Sequence, residues 1–414
     1  MPSLRDMIRG SWLHGSWLHG SWVRGPWRAV SVLSVTQVIA WGTIYYTPVL
    51  IAPLVAAEHG WSLSFTMAGF SLGLLVAGLV APFVGRSIDR YGGHVVMAVG
   101  ALVSAAGLTG FALAHGRTAY LLAWVVTGAG LAASLYDPAF ATLGRIFGAA
   151  ARRPITVLTL AGGFASTAGW PATHFLIGST GWRGTYVVYA LLMAVVCAPL
   201  YAFALPRTRA AATMPKDVTG PAKPAAPLLP PGGIAFVLVT AAFTAYAFVP
   251  SALAAHLLAV FGRAGIDAAT VVMIGALFGP AQVAARVTEL AFGRDIHPLT
   301  VGRAAIALLV VAFALLALFG ITPATAAAFS VMFGAANGLV TITRGALPFA
   351  LFGAEGYGRM MGRISGFWLG MQAAAPLVMA FVAERASDAT ALGLVAAFTL
   401  VALVCFATIR RPTG

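Results

Sequence analysis

Residues 62–84, SLSFTMAGFSLGLLVAGLVAPFV, run apolar without an acid or a base. A charged stretch follows, Gly85-Arg86-Ser87-Ile88-Asp89-Arg90-Tyr91-Gly92-Gly93-His94, and residues 95–114, VVMAVGALVSAAGLTGFALA, are apolar again. Each greasy run has the length of a helix that crosses a bilayer, roughly 20 residues for about 30 Å of hydrocarbon. Lipid offers no partner for backbone N–H and C=O groups, so a spanning segment of this kind must be helical.

The same pattern extends in both directions. Stretches free of Asp, Glu, Lys and Arg, broken at turn residues, predict twelve spans at 29–55, 62–84, 95–114, 118–143, 155–178, 184–205, 233–257, 267–291, 302–320, 323–350, 361–383 and 389–409. Between the sixth and seventh lies a proline-rich segment carrying Pro206, Pro215, Pro221, Pro224, Pro227, Pro230 and Pro231, which reads as an exposed linker. The expected organisation is a cytoplasmic low-complexity tail (1–28), a six-helix bundle (29–205), a cytoplasmic linker (206–232) and a second six-helix bundle (233–410).

Composition agrees. Of 414 residues, 60% are hydrophobic and only 9% charged, against roughly a quarter charged in soluble domains. The net charge of +14 does not point to nucleic acid, because the cations sit between apolar runs and form no patch. Their distribution instead sets orientation. Nineteen of the 25 Lys and Arg fall on the side that holds both chain ends and the linker. Four fall on the other side (Arg117, Arg183, Arg263 and Arg385), and Arg286 and Arg344 lie inside spans. The positive-inside rule then places both termini in the cytoplasm, in an inner membrane. Cys197 and Cys405 lie in separate apolar runs and form no CxxC pair. The tail repeats Gly-Ser-Trp-Leu-His between Gly10 and Gly25 without an apolar core, so it is no signal peptide, and His14 and His19 are not expected to bind metal.

The halves also resemble each other. Asp89 stands 206 residues before Asp295, Gly128 stands 206 before Gly334, and Pro171 stands 205 before Pro376. Duplicated six-helix halves are an architecture of secondary transporters. No Gly-x-x-x-x-Gly-Lys-Ser/Thr loop is present for a nucleotide-driven pump. No clustered catalytic set is present for an enzyme.

The stretch Gly85-x-x-x-Asp89-Arg90-x-Gly92, with a partial copy Gly293-Arg294-Asp295 in the second half, resembles the loop signature of the major facilitator superfamily. It departs at Gly93 and His94, where the family has two cations. The resemblance covers residues 28 to 410 and implies an all-α membrane protein of twelve transmembrane helices in two pseudo-symmetric six-helix bundles. Within that family the chain looks most like the oxalate/formate exchanger and monocarboxylate porter branch. The residues behind this are Trp41-Gly42-x-x-Tyr45-Tyr46, Gly279-Pro280-Ala281-Gln282 through Arg286, and Thr343-Arg344-Gly345 with Pro348. That branch moves small carboxylates and often uses an arginine on the eighth span as anion ligand. Its oxalate carriers use a lysine on the eleventh span, where this chain has Ser365, Trp368 and Gln372. Some relatives export arsenicals, so drug or metalloid efflux stands as the alternative, and a non-transporting sensor behind it.

Ionisable residues inside spans are costly and are candidates for function. Arg286 is expected either to hold a substrate carboxylate or to pair with Glu289, one turn on at i+3. Glu289 is then a proton or gating partner. Arg344 is expected either to touch substrate or to pair with Glu289 or Asp295. Asp137 is expected either to latch Arg90 or to couple protons, and His256 and His174 either carry protons or pack. Trp41, Tyr45, Tyr46 and Gln372 can line a cavity, and Pro48 and Pro53 should bend the first span. Asp89 can cap a facing helix, while Gly85 and Gly92 allow close approach and a tight turn. The glycines Gly162, Gly163 and Gly169 mean close helix packing. The expected partners are a small-molecule substrate, protons and the lipid bilayer, with no nucleic acid, no cofactor, no metal and a monomeric state.

Overall fold

The computed structural model describes residues 25–207, 229–230, 232–293 and 295–410. The tail repeat with His14 and His19, the linker lysines Lys216 and Lys223, and Arg294 lie outside the described residues. Among the described residues there are twelve long helices and no strand. They are α1 (Trp27–His59), α2 (Leu63–Tyr91), α3 (Gly93–Leu113), α4 (Arg117–Phe147), α5 (152–180), α6 (182–204), α7 (Ile234–Arg263), α8 (Ala268–Phe292), α9 (Pro298–Phe319), α10 (Pro323–Phe352), α11 (Tyr357–Arg385) and α12 (Asp388–Thr408). Between α5 and α6 the chain turns at Gly181, with φ 69°.

Several helices overrun the apolar spans. Residues Gly85 to Tyr91, read above as a loop, form the last turns of α2, and the turn itself is Gly92 alone, with φ 86°. An apolar window measures only the part in hydrocarbon. The backbone keeps its helical bonds into the head-group region, where Arg86 and Arg90 are exposed. No residue with a Cβ holds the φ of Gly92 without strain.

Three helices are broken where proline or glycine requires it. Pro138 has no N–H for the Ser134 carbonyl and its ring crowds that carbonyl, so α4 breaks at Leu135 and resumes at Tyr136. In α1, Pro48 follows a π-helical turn at Trp41–Tyr46 in which the Thr47 hydroxyl donates to the Gly42 carbonyl at 2.8 Å. In α5 the helix opens at Gly163–Phe164 and restarts at Ala165.

The first six helices pack on one another, as do the last six. Contacts between the sets run mainly through α2 and the second segment of α4 on α11, and through α5 on α8 and α10. Equivalent glycines set equivalent contacts within each set. A Cβ at Gly128 of α4 would overlap the Gly73 carbonyl of α2, and one at Gly334 of α10 would overlap the Phe278 carbonyl of α8. These two glycines are 206 residues apart, so one packing device is used once in each half. This is an all-α fold of twelve helices in two pseudo-symmetric six-helix bundles.

Candidate functional site

The helix breaks converge on one chamber at the centre of the molecule. The Ser134 carbonyl freed by Pro138 is satisfied by Gln37 of α1, whose Nε2 donates at 2.7 Å. The Oε1 of Gln37 then accepts from the Trp41 indole at 3.2 Å. Trp41 is thereby fixed at the head of the π turn, 4.7 Å from the Tyr45 ring, 6.0 Å from Tyr46 and 4.9 Å from Tyr136, between centroids. The wide turn lets two consecutive tyrosines meet one tryptophan. From the other half come Tyr246 of α7, whose hydroxyl donates to Asn337 Oδ1 at 2.8 Å, and Trp368 of α11, 6.0 Å from Tyr246.

Two buried arginines enter this ring of aromatics, and their surroundings differ. Arg344 is 5% exposed. It pairs with Asp137 at 2.9 Å, and its guanidinium lies 4.4 Å from the Trp368 ring centre. Its charge is balanced. Arg286 is 3% exposed, and among the described residues no carboxylate pairs with it. Its Nη1 donates to the Thr159 carbonyl at 2.6 Å, at the opened turn of α5, while its buried Nε has no hydrogen-bond partner. Gly163 makes the passage possible: a Cβ there would stand 2.8 Å from Nη1. Tyr46, Tyr136 and Tyr246 lie within its electrostatic reach.

The expected pairings are corrected at three points. Glu289 is one turn from Arg286 but turns outward to Arg152 of α5, at 2.7 Å, and takes a hydrogen bond from Thr156 at 3.2 Å. Asp137 does not meet Arg90. Asp137 opens the second segment of α4 and faces the centre, whereas Arg90 lies at the exposed end of α2, stacked on Tyr91 at 5.0 Å. Arg344 accordingly pairs with Asp137, not with Glu289 or Asp295. Asp295 is exposed and outside the chamber.

The remaining candidates fall in three places. Asp89 accepts from the Gly358 and Arg359 backbone N–H groups at 2.9 and 2.7 Å, at the N-terminus of α11. Gly85 packs so tightly there that a Cβ would overlap the Gly358 carbonyl. Gln372 is buried on α11, and its carbonyl accepts from Ser251 at 2.9 Å. His256 lies towards the far end of α7, near Arg263 and Asp388 and away from the chamber, and His174 is exposed on α5. Trp368, named above only for the span on which related carriers have a lysine, lies here, and Tyr136, Tyr246, Asn337 and Arg152 join it without having been singled out from the sequence as binding or gating residues. Tyr136 carried the one usable signal, its place beside Asp137 and Pro138.

Two six-helix sets joined at one face around an aromatic, arginine-bearing chamber define a multi-pass membrane carrier. The chain belongs to the Major Facilitator Superfamily, whose family model matches residues 33–362. The fold is similar to that of the human organic anion transporter MFSD10 (TETRAN), at 16% identity and TM-score 0.71 over 94% of this chain and 100% of that one. It is also similar to the proton:xylose symporter XylE bound to 6-bromo-6-deoxy-D-glucose, at 10% identity and TM-score 0.68 over 93% and 97%. The E. coli fucose:proton symporter FucP is a third, at 14% identity and TM-score 0.69 over 94% and 100%. No curated protein matches the chain by sequence. Membership makes the protein a secondary transporter of a small molecule.

Proposed function

We propose that the chain carries a small organic acid with a single negative charge across the inner membrane by alternating access, with both termini cytoplasmic and the monomer as the working unit. The observation that carries this is Arg286, a buried guanidinium with no carboxylate to balance it. An isolated buried charge is expensive, and a carboxylate ligand offsets much of that cost. The planar fork of arginine suits bidentate recognition of such a group, and the unpartnered Nε leaves one edge available. Arg344 is already neutralised by Asp137, so the chamber holds one uncompensated positive charge and matches a monoanion better than a dianion. Tyr45, Tyr46, Trp41 and Trp368 would take the apolar body of the acid. This agrees with the likeness to monocarboxylate porters, and the organic anion transporter sharing the fold is in keeping with it.

Transport would follow from the same contact. Arg286 of α8 bonds the Thr159 carbonyl of α5, across the two halves. A carboxylate competing for the guanidinium would weaken that tie. Glu289, on the same helix, closes the halves through Arg152, and its protonation would release the pair and couple a proton to opening. The test is uptake and efflux in proteoliposomes with monocarboxylates, dicarboxylates and arsenite, with and without a pH gradient. Wild-type protein should move monocarboxylates, and Arg286→Gln should lose that transport while remaining folded. Transport of arsenite alone, or wild-type rates in Arg286→Gln, would contradict the proposal.

A further inference from the structure

On the outer side of the α2–α11 seam lies a groove of about 530 Å³ that the transport chamber does not use. Its walls come from both halves. Leu75, Leu79 and Pro82 of α2 face Phe367 and Met371 of α11, and Thr244 of α7 adds to the lining. Leu75, Leu79 and Phe367 are exposed, on the flank of each helix that looks into the membrane. The groove exists because glycines draw the two helices together beside it. A Cβ at Gly78 would stand 2.8 Å from the Gly366 carbonyl.

Its length and its charge specify an occupant. The α11 lining runs from Arg363 to Ala374, about 16 Å at 1.5 Å per residue. That is about half of a hydrocarbon layer of about 30 Å, the depth of one leaflet. Arg363 marks the end nearer the arginine-rich face and is exposed, as are Arg86 and Arg359 around it. Among the described residues no carboxylate pairs with Arg86, Arg359 or Arg363. Both carboxylate oxygens of nearby Asp89 are committed to backbone N–H groups of α11. An apolar channel one leaflet deep, open to the bilayer and ending in an unbalanced cation, is complementary to one acyl chain below one phosphate.

We infer that this groove binds an anionic phospholipid from the leaflet on the arginine-rich face, with its chain along Leu75, Leu79 and Phe367 and its phosphate on Arg363. Because the walls belong to both halves, the lipid spans the two bodies that must move apart, and it favours the arrangement in which α2 and α11 are closed.

Two substitutions probe the two ends. Arg363→Gln removes the phosphate partner. Gly370→Leu puts a side chain into the groove, its Cβ entering open space, since nothing lies within 4 Å of a Cβ built at Gly370. Full-length protein is reconstituted in nanodiscs of phosphatidylglycerol and phosphatidylcholine, extracted in mild detergent, and its retained lipid is counted by native mass spectrometry. Wild type should keep phosphatidylglycerol over phosphatidylcholine. Arg363→Gln should bind it about fivefold less, the equivalent of about 1 kcal/mol for one arginine at a membrane surface. Gly370→Leu should retain little of either lipid. Equal retention of both lipids by wild type, or unchanged retention in either variant, would overturn the inference. Unaltered circular dichroism of both variants establishes that a loss of lipid is not a loss of fold.

Discussion

The two seams that close the arginine-rich face are versions of one contact, built from different chemistry. The 206-residue offset carries Asp89 onto Asp295, and Gly358 lies 206 residues after Arg152, so the α2–α11 seam corresponds to the α8–α5 seam. On the first, Asp89 caps α11 through backbone N–H groups, and glycines bring backbone against backbone. On the second, Asp295 makes no such cap. Arg152, the first residue of α5, crosses instead to Glu289 at 2.7 Å and to the Gly293 and Ile296 carbonyls at 2.7 and 2.5 Å. The first seam depends on steric fit and on a backbone cap, with no side-chain ion pair across it among the described residues. The second depends on side-chain charge, one turn from Arg286 on the same helix. A duplicated fold can thus keep one closure as a hinge and make the other responsive to ligand and proton.

That contrast can be broken at each seam. The largest effect is expected from Glu289→Gln, which leaves Arg152 without its carboxylate. Breaking a buried pair costs about 3–5 kcal/mol, and the lower end applies because Arg152 keeps its two carbonyls. Spin-label distances between the halves on the arginine-rich face should lengthen, and a pH gradient should no longer drive uptake. Unchanged distances and coupling would assign the gate elsewhere. A smaller effect is expected from Gly85→Ala, which places a methyl on the Gly358 carbonyl. Overpacking of this kind costs about 1–3 kcal/mol, and it should lower thermal stability while leaving substrate affinity unchanged. An altered affinity would mean that the glycine seam also senses ligand. The smallest effect is expected from Asp89→Asn, which keeps one acceptor at the N-terminus of α11 and loses the charge. The helix-dipole part is about 0.3–1 kcal/mol, so transport should fall only modestly, read as initial rate in proteoliposomes.

The fold was legible because it follows from one solvent requirement. Apolar runs of lipid length, the proline-rich break between the sixth and seventh, and the repeated Asp89 and Asp295 spacing each describe part of a twelve-helix carrier. Helix ends were less legible, since residues such as Gly85 to Tyr91 continue α2 beyond the hydrocarbon. Within the site, Trp41, Tyr45, Tyr46, Arg286 and Arg344 fall around one chamber, but their partners were not readable. Spacing along a helix suggests Glu289 for Arg286, whereas Glu289 bonds a residue 137 positions away and Asp137 bonds one 207 away. Arg152 counted in the sequence only as a loop cation that sets orientation. Tyr246 looked like an ordinary span aromatic, because nothing local reveals which face of a helix meets another half.

The role of Arg286 is tested most directly by equilibrium binding of a small monocarboxylic acid and of its neutral amide to purified wild-type protein and to Arg286→Gln. An unbalanced buried guanidinium should make wild type prefer the acid by at least about thirtyfold, from the roughly 2 kcal/mol or more that a desolvated charge pair contributes, and Arg286→Gln should bind the two alike. Equal affinity of wild type for acid and amide, or a preference that survives in Arg286→Gln, would contradict an anion site at this residue.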